Sequence, residues 1–205
     1  MKIFAVGMNY PQYNKTEGGA LLKGEEPVVS VLADSSLQKN RKPFFVPDWS
    51  GAIDCGVELV VRICRLGKAI PERFAHRYYD AITVGVGFTD REMEHGLAAG
   101  ALSGGLCRSF DGASVIGDWV DVARFRNVHA LDFRLDANGE TVQQGYTGDM
   151  LHTVDGIVAY ISRFCTLKTG DLLFTGAPVA GMKANIGDHL EGYLENEKVL
   201  EFNCK

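Results

Sequence analysis

The chain has 205 residues, of which 24 are glycine and 6 are proline, and its formal net charge is -5. The glycines follow no Gly-X-Y period and prolines are few, which excludes a collagen-like fibre and a low-complexity linker. The mild acidity and scattered basic residues argue against nucleic-acid binding, and no apolar run approaches the length of a membrane span. Five cysteines without a CxxC pair indicate reduced thiols, so we expect a cytoplasmic protein.

The first half of the chain alternates short apolar segments with polar, glycine-broken loops. We predict strands over residues 2–6, 28–32, 44–46, 57–63 and 81–88. Residues 8–26 are expected to form a loop with room for one helical turn, and residues 72–80 a helix. Thr89 is a candidate cap for a further helix that continues through Glu94.

The second half has clearer patterns. Leu131, Phe133 and Leu135 alternate with charged residues, which is the period of a half-buried strand. Asn138-Gly139 is a strong hairpin signal, so we predict a return strand over residues 141–144.

Further along, the spacing of apolar residues predicts an amphipathic helix from Val154 to near Leu167. Strands over residues 172–175, 189–194 and 199–202 complete the chain. A strand-rich sequence with few helices, no repeat and no linker favours one α+β domain over residues 1–205, built around a curved sheet or roll.

Glu58 is the most unusual residue of the predicted central strand, because an unpaired carboxylate is costly to bury. It must be paired, hydrogen-bonded, exposed at an edge or bound to a metal ion. Asp54 shares its face of the strand by the two-residue period, but four residues of strand span ~13 Å. We therefore do not expect the two carboxylates to hold one ion.

Three other segments carry polar groups, and each has an ordinary structural alternative. The acidic residues of 89–94 suit a helix N-terminus without any catalytic purpose. The segment 108–112 places Arg108 beside a hydroxyl. It is either a site of contact with an anion or a surface turn in which the arginine is incidental. The segment 174–178 predicts a strand that ends in a tight turn. Either the N–H groups of this turn bind a carboxylate, or the turn only reverses the chain.

Two common kinds of site have no support in the sequence. The five histidines show no HxH or HExxH spacing, which argues against a histidine metal site or a Ser-His-Asp triad. No GxGxxG follows a predicted strand, which argues against a dinucleotide site.

Five short motifs follow one another from about residue 50 to the C-terminus. They are Ile53-Asp54-Cys55-Gly56-Val57-Glu58-Leu59, Gly85-Val86-Gly87-Phe88-Thr89-Asp90-Arg91-Glu92, Arg108-Ser109-Phe110-Asp111, Gln143-Gln144-Gly145-Tyr146-Thr147-Gly148-Asp149-Met150, and residues 167–178. In this order they resemble the E-V-E-L, D-x-T-x-R-D, K-S-F-D, Q-x-G-x-T-x-D-M and L-x-x-G-D-x-I-x-T-G-T-P motifs of the fumarylacetoacetate hydrolase family. The nearest branches are its 2-hydroxyhepta-2,4-diene-1,7-dioate isomerases and acylpyruvate hydrolases.

The resemblance implies a β-roll-like α+β fold of mixed, curved sheets with few helices, commonly as a homodimer. It also implies chemistry on a small 2-oxo acid or 2-hydroxydienoic diacid, by C–C bond hydrolysis, decarboxylation or isomerisation. Family members hold Mg²⁺ or Mn²⁺ with three carboxylates, an octahedral oxygen site that leaves room for a chelating oxo acid. The corresponding positions here are Gly56, Glu58 and Gly87.

Two of those three ligand positions therefore lack a side chain, and one carboxylate does not organise a strongly hydrated cation. Asp90 and Glu92 lie close to the lost aspartate, but helical geometry directs them elsewhere. We do not expect either of them to replace it.

Other family positions have changed as well. Arg108 replaces the motif lysine and Ala177 replaces the second threonine of T-G-T-P. Leu32-Ala33 stands where a K-P pair is expected, and residues 16–20 lack the His-Glu pair that hydrolytic members use as general base.

The residues that remain predict a site for a carboxylate-bearing ligand. Its members would be Arg91, Arg108, Gln143, Thr175 and Gly176, with Glu58 as the one retained metal position. Two arginine forks suit an acid. Gly56 and Gly87 then mark an emptied metal site, whereas Gly139, Gly145, Gly170 and Gly176 are expected at turns.

Two hypotheses follow. In the first, the fold is intact and metal-dependent catalysis is weakened or lost, so the chain binds an oxo acid or serves as a non-catalytic dimer partner. In the second, it is a working isomerase, acylpyruvate hydrolase or oxaloacetate decarboxylase with a non-standard metal site.

Overall fold

The computed structural model describes residues 1–16, 26–39, 41–100 and 105–205, with the side chains of residues 97–100 left out. The strands in chain order are β1 (Ile3–Gly7), β2 (Val28–Leu32), β3 (Leu37–Lys39), β4 (Ile53–Ile63), β5 (Tyr79–Asp90), β6 (Ser114–Ile116), β7 (Val120–Asp121), β8 (Asp132–Ala137), β9 (Glu140–Tyr146), β10 (Leu172–Phe174), β11 (Met182–Lys183), β12 (His189–Leu194) and β13 (Glu197–Asn203). The helices are α1 (Pro11–Thr16), α2 (Arg91–Gly100) and α3 (Val154–Phe164).

These strands form two sheets. The larger has the order β2-β1-β10-β4-β5-β6-β3, with β11 beside β4 and β7 beside β5. In it, β1 pairs in parallel with β10 and β3 with β6, and the other pairs are antiparallel. The smaller is the antiparallel sheet β13-β12-β8-β9. The predicted α+β class of mixed, curved sheets with few helices is confirmed.

The two long central strands separate the core from a second face. Successive strand residues point to opposite sides, so Val57 and Leu59 of β4 share one side with Val84, Val86 and Phe88 of β5. All five are fully buried and belong to the core that includes the inward residues of the smaller sheet. The other side carries Glu58, together with Gly56 directly opposite Gly87.

The hairpin prediction is confirmed. Phe133 and Leu135 of β8 are buried, while Asp132 is exposed. Asn138 and Gly139 form the turn with φ of 54° and 85°, in the left-handed region that Asn-Gly tolerates. Gly145, which was expected at a turn, instead lies inside β9, where the ring of Phe133 occupies the space of a side chain.

Several element boundaries differ from the predictions. Phe44 makes a single bridge to Cys204, so the strand predicted over residues 44–46 is wrong. Residues 72–80 contain only a 3₁₀ turn, Glu72–Arg77, because β5 already begins at Tyr79. The helix predicted to reach Leu167 ends at Phe164, and Thr153 caps its start by accepting the Gly156 N–H.

The start of α2 also needs a correction. Thr89 lies within β5, and the cap is Asp90, whose Oδ1 accepts the Met93 N–H at 2.8 Å. Asp90 is buried on the core side of the strand. The short strands β3, β6, β7 and β11 were not predicted. The helical turn predicted within residues 8–26 corresponds to α1, and residues 17–25 lie outside the described part of the chain.

In the described ranges, the longest helix has 11 residues. None of these helices approaches the roughly 20 apolar residues that a membrane-crossing helix requires.

Candidate functional site

A cavity of about 300 Å³ lies on the face of the larger sheet that carries Glu58. Its wall includes residues of β1, β4 and β5, the start of α2 and the turn that ends at Arg108. The charged side chains that line it are Asp54, Glu58, Arg91, Glu94 and Arg108. Two arginines and three carboxylates therefore meet above the middle of the sheet.

Glu58 is 1% exposed, and both of its carboxylate oxygens accept hydrogen bonds. Oε1 accepts from Arg108 Nη2 at 2.7 Å, and Oε2 accepts from the backbone N–H of Gly176 at 2.7 Å. Of the alternatives considered for this carboxylate, which were an ion pair, a hydrogen bond, exposure at an edge and a metal ion, the structure shows an ion pair and a backbone hydrogen bond. Gly176 serves this role with φ of 100°, at the tight turn that follows β10.

Arg108 belongs to a 3₁₀ turn, Leu106–Arg108, and its side chain is one quarter exposed. The neighbouring Ser109 Oγ accepts the Ala33 N–H at 2.7 Å, which connects this turn to the end of β2. A guanidinium has five N–H donors. Among the described residues, Arg108 is hydrogen-bonded through Nη2, while its buried Nε has no hydrogen-bond partner.

Gly56 and Gly87 form a gap beside this ion pair. Neither has a backbone φ in the left-handed region, so the backbone itself does not require glycine at these positions. A Cβ at Gly87 would lie 2.8 Å from Glu58 Oε1 and 2.9 Å from Arg108 Nη2. A Cβ at Gly56 would lie 3.1 Å from the Cβ of Ala177. The Glu58–Arg108 pair therefore occupies the space that a side chain at position 87 would need.

Arg91 makes a second group of ion pairs on the cavity wall. Its Nε donates to Asp54 Oδ2 at 2.9 Å and its Nη1 to Glu94 Oε2 at 2.6 Å. Asp54 and Glu58 thus bind different arginines, in agreement with the strand spacing. The formal charges of the wall sum to -1, because Arg91 and Arg108 stand against Asp54, Glu58 and Glu94.

Two predicted ligand residues hold the backbone in place instead of lining the cavity. Gln143 Oε1 accepts the Val57 N–H at 2.8 Å, and its Nε2 donates to the carbonyls of Cys55 and Ala180. The buried hydroxyl of Thr175 donates to the carbonyl of Leu59 at 3.0 Å. Both residues support β4 next to Glu58, and we assign them a positioning role.

The sequence reasoning singled out neither Asn9, which supports the site, nor Tyr10, whose hydroxyl lies near Glu58. Asn9 Nδ2 donates to the carbonyls of Thr175 and His152, and its Oδ1 accepts the His152 N–H. The hydroxyl of Tyr10 is buried without a hydrogen-bond partner in the described ranges. Burial raises the pKa of this hydroxyl, and the nearby carboxylates of Glu58 and Asp149 raise it further. Residues 1–10 resemble the short N-terminus of the family named above, and this resemblance is the sequence signal for these two positions.

A larger cavity of about 800 Å³ lies between α1 and the smaller sheet. Its basic side chains are Lys15 and Arg134, and Arg134 is already occupied by Asp136 and stacks 3.8 Å from the ring centre of Tyr193. Asp132, Asp149 and Glu195 also line it. Among the described residues that line it, no ion pair contains a carboxylate as buried as that of Glu58, so we place the functional site at the smaller cavity.

Comparison with known families gives a match to the family described as fumarylacetoacetate (FAA) hydrolase, C-terminal, over residues 2–204. The chain belongs to this family. It is 30% identical over 190 residues to oxaloacetate tautomerase YcgM of Escherichia coli, covering 92% of this chain and 86% of that protein. It is 29% identical over 205 residues to the mitochondrial oxaloacetate tautomerase FAHD1 of mouse, covering 99% of this chain and 91% of that protein.

Solved structures agree with this assignment. A fumarylacetoacetate hydrolase family protein from Yersinia pestis superimposes with a TM-score of 0.94 at 30% identity, covering 100% of this chain and 93% of that one. The fumarylpyruvate hydrolase of Pseudomonas aeruginosa, in complex with Mn²⁺ and pyruvate, superimposes with a TM-score of 0.91, covering 100% of this chain and 90% of that one. At 22% identity, the second likeness concerns the fold alone.

A divalent ion of the kind implied by the family does not fit the residues at this site. Positions 56 and 87 provide no side-chain oxygen, and both oxygens of Glu58 already accept hydrogen bonds. Within the described residues, no three His, Cys, Asp or Glu side chains converge where they could hold an ion. Asp90 caps α2, so it does not replace the missing aspartate. We therefore derive no chemical step through a metal.

Proposed function

We propose that the chain binds a small 2-oxo acid in the cavity at the Glu58–Arg108 pair without a divalent ion, and that the metal-dependent catalysis of the family is weakened or lost. The observation that carries this proposal is the 2.7 Å ion pair between Arg108 Nη2 and buried Glu58 Oε1. It places a guanidinium with further N–H donors on the wall of a cavity large enough for a ligand of a few carbon atoms.

The donor inventory supports an acidic ligand. Carboxylates and enolates accept hydrogen bonds from guanidinium groups in a planar, two-pronged geometry. Arg108 is one quarter exposed, and the hydrogen bond described for its guanidinium is the one from Nη2 to Glu58. A ligand oxygen can therefore contact Arg108 while Glu58 retains its own bond to Nη2.

The charge of the wall limits the affinity that we expect. Its ionised side chains sum to -1, so a dianion is repelled more strongly than a monoanion. We therefore expect dissociation constants in the millimolar range for a simple diacid and tighter binding for a monoacid such as pyruvate. Arg91 contributes little attraction, because Asp54 and Glu94 neutralise it.

Isothermal titration with pyruvate and oxalate, in buffer containing EDTA, tests the binding proposal. We expect one-site binding that weakens at least tenfold in Arg108→Ala. Arg126→Ala is the matched control, because this arginine is exposed and does not line the cavity. Absence of saturable binding, or binding that appears only when Mg²⁺ is added, would contradict the proposal.

A second candidate function is keto–enol tautomerisation of a 2-oxo diacid without a metal. It is favoured by the 30% identity to a relative named oxaloacetate tautomerase. The reaction moves one proton from C3 to a base and places one proton on the oxygen at C2, so no water molecule has to be activated. Glu58 would take the proton from C3 and deliver it to the oxygen at C2, and Arg108 would stabilise the negative charge that develops on that oxygen between the two steps.

The decay of enol absorbance after oxaloacetate is dissolved, measured with EDTA present, tests this candidate. We expect an accelerated decay that Arg108→Ala and Glu58→Gln abolish and Arg126→Ala leaves unchanged. If the protein binds oxo acids but the decay equals that in buffer, the chain is a binding protein and the tautomerase candidate is refuted.

We also propose that the chain forms a homodimer in the cytoplasm. The family resemblance supports the dimer, and the five free cysteines support a reducing compartment. Size-exclusion chromatography with light scattering tests the dimer, and an elution as a monomer of 22.4 kDa would contradict it.

A further inference from the structure

We propose that the Arg108 guanidinium takes the place of a divalent cation beside Glu58, so that this side chain itself, in addition to the missing carboxylates, excludes metal ions from the site. The inference concerns the resting protein and does not depend on the proposed ligand or activity. It rests on the space around Gly87, on the charge of the site and on the bonds of Glu58.

The first argument is steric. Arg108 Nη2 lies 2.7 Å from Glu58 Oε1, and the position of a Cβ on Gly87 lies within 3 Å of both atoms. Side chains at 56 and 87 would point to the same side as Glu58, because these residues face each other across β4 and β5. A carboxylate at position 87 and the guanidinium in its present place therefore compete for the same volume.

A neighbouring glycine shows that this crowding is specific. Gly85 lies two residues away on β5, where a Cβ would contact Val60, Phe174 and the carbonyl of Val115, which are core and backbone atoms. Gly85 is thus explained by packing of the sheet. At Gly87 the contacts under 3 Å are only the charged ends of two flexible side chains, so glycine there is linked to the ion pair.

The second argument is electrostatic. Loss of two carboxylates removes two negative charges, and loss of a divalent ion removes two positive charges, so the local formal charge does not change. What remains is Glu58 and Arg108, whose charges cancel. A divalent ion added at this point would lie within a few ångströms of a guanidinium that cannot lose its proton, which is strongly unfavourable in a partly buried site.

The third argument concerns the bonds that Glu58 has already formed. Its Oε2 is directed by the Gly176 N–H and its Oε1 by Arg108. An ion could coordinate this carboxylate only by displacing one of them, and Gly176 is fixed by its turn next to Val6 and Asn9. Arg108 is therefore the group that has to move.

The experiment measures binding of Mn²⁺ alone by electron paramagnetic resonance in four proteins. They are the wild type, Arg108→Ala, the double variant Gly56→Glu/Gly87→Asp, and the triple variant that adds Arg108→Lys. We expect no saturable binding in the wild type or in Arg108→Ala, where Glu58 is the single carboxylate at the three family ligand positions. The triple variant should bind one Mn²⁺ at least tenfold more tightly than the double variant, in which Arg108 pairs with the new carboxylates.

Gly56→Glu, with and without Arg108→Lys, keeps the experiment decisive if the variants that carry Gly87→Asp fail to fold, which circular dichroism reports. Both variants have carboxylates at positions 56 and 58, so we expect Mn²⁺ to raise the melting temperature by at least 2 °C more in the variant in which Lys replaces Arg108. It should not shift the wild type or Arg124→Ala, in which an exposed 2.7 Å ion pair with Glu197 is broken.

Four results would overturn the inference. They are one-site Mn²⁺ binding by the wild type, equal affinities of the double and triple variants, a folded triple variant that binds no Mn²⁺, and equal Mn²⁺-induced shifts in melting temperature for Gly56→Glu and Gly56→Glu/Arg108→Lys.

Discussion

Replacement of Arg108 by Met tests whether the Glu58–Arg108 pair stabilises the fold as a buried pair. The variant removes a 2.7 Å charged hydrogen bond from a carboxylate whose side chain is 2% exposed. Loss of one partner of a fully buried pair costs about 3–5 kcal/mol, because the other charge is left uncompensated. Here Arg108 is one quarter exposed and Glu58 keeps the Gly176 N–H, so we expect about 2–3 kcal/mol.

Urea unfolding followed by fluorescence measures this effect. With a slope of about 2–3 kcal/mol/M for a chain of this size, the midpoint should fall by about 1 M. Glu58→Gln removes the charge and retains acceptor and shape, so it should cost less than Arg108→Met. The double variant should be more stable than Arg108→Met alone, because no unpaired buried charge remains.

The matched control is Arg124→Met. Its ion pair with Glu197 has the same 2.7 Å separation, but both side chains are more than half exposed. Exposed pairs contribute little, so this variant should unfold with the wild type. If Arg108→Met and Arg124→Met shift the midpoint equally, or if Glu58→Gln does not rescue Arg108→Met, the buried-pair reasoning is refuted.

Three further predictions use the same unfolding assay. Gly176→Ala should lower the free energy of unfolding by about 3 kcal/mol, and Gly187→Ala by about 1 kcal/mol. Both residues have φ near 100°, but a Cβ at 176 would lie 3.0 Å from the Val6 carbonyl oxygen, whereas nothing lies within 4 Å of a Cβ at 187. Equal losses in the two variants would contradict this reasoning. Burial, and to a smaller extent the charge of Asp188, raises the pKa of the Cys204 thiol from 9.0 to about 12. Between these pH values the folded state keeps a proton that the unfolded state loses. The free energy of unfolding should therefore fall as the pH rises from about 9 to 12. Cys204→Ser should reduce that fall, and an unchanged slope would refute the assignment. Burial lowers the pKa of His152 from 6.5, so as the pH falls the unfolded state binds the proton first. The free energy of unfolding should therefore decrease below about pH 6.5. His152→Gln should flatten this pH dependence, and a profile identical to that of the wild type would contradict the assignment.

The site differs from its expected form in how its charges are used. Two arginines in one cavity suggest a strong anion site when only the sequence is considered. In the structure, Arg91 is paired with Asp54 and Glu94, and Arg108 with Glu58. Only the donors of Arg108 that these bonds leave free are assigned to a ligand, which is why we expect weak and monoanion-selective binding.

The amino-acid sequence by itself determined the local elements and the losses at the site. Alternation in β8, the Asn138-Gly139 turn and the apolar run of β4 depend on side-chain direction and turn conformation, which neighbouring residues set. Glycine at positions 56 and 87, where the family resemblance implies metal ligands, is likewise visible in the motifs. These properties need no knowledge of distant contacts.

The partners of the buried groups were decided only by the tertiary structure. Glu58 meets an arginine 50 residues away, and Gln143 holds the backbone 86 residues away. The start of α2 also depended on the tertiary structure. The register of β5 against β4 decides whether Thr89 or Asp90 faces the unpaired N–H groups of the first turn of α2. Such contacts form because two sheets bring remote strands together, and the pairing of a charge is settled by which opposite charge the fold places within 3 Å of it.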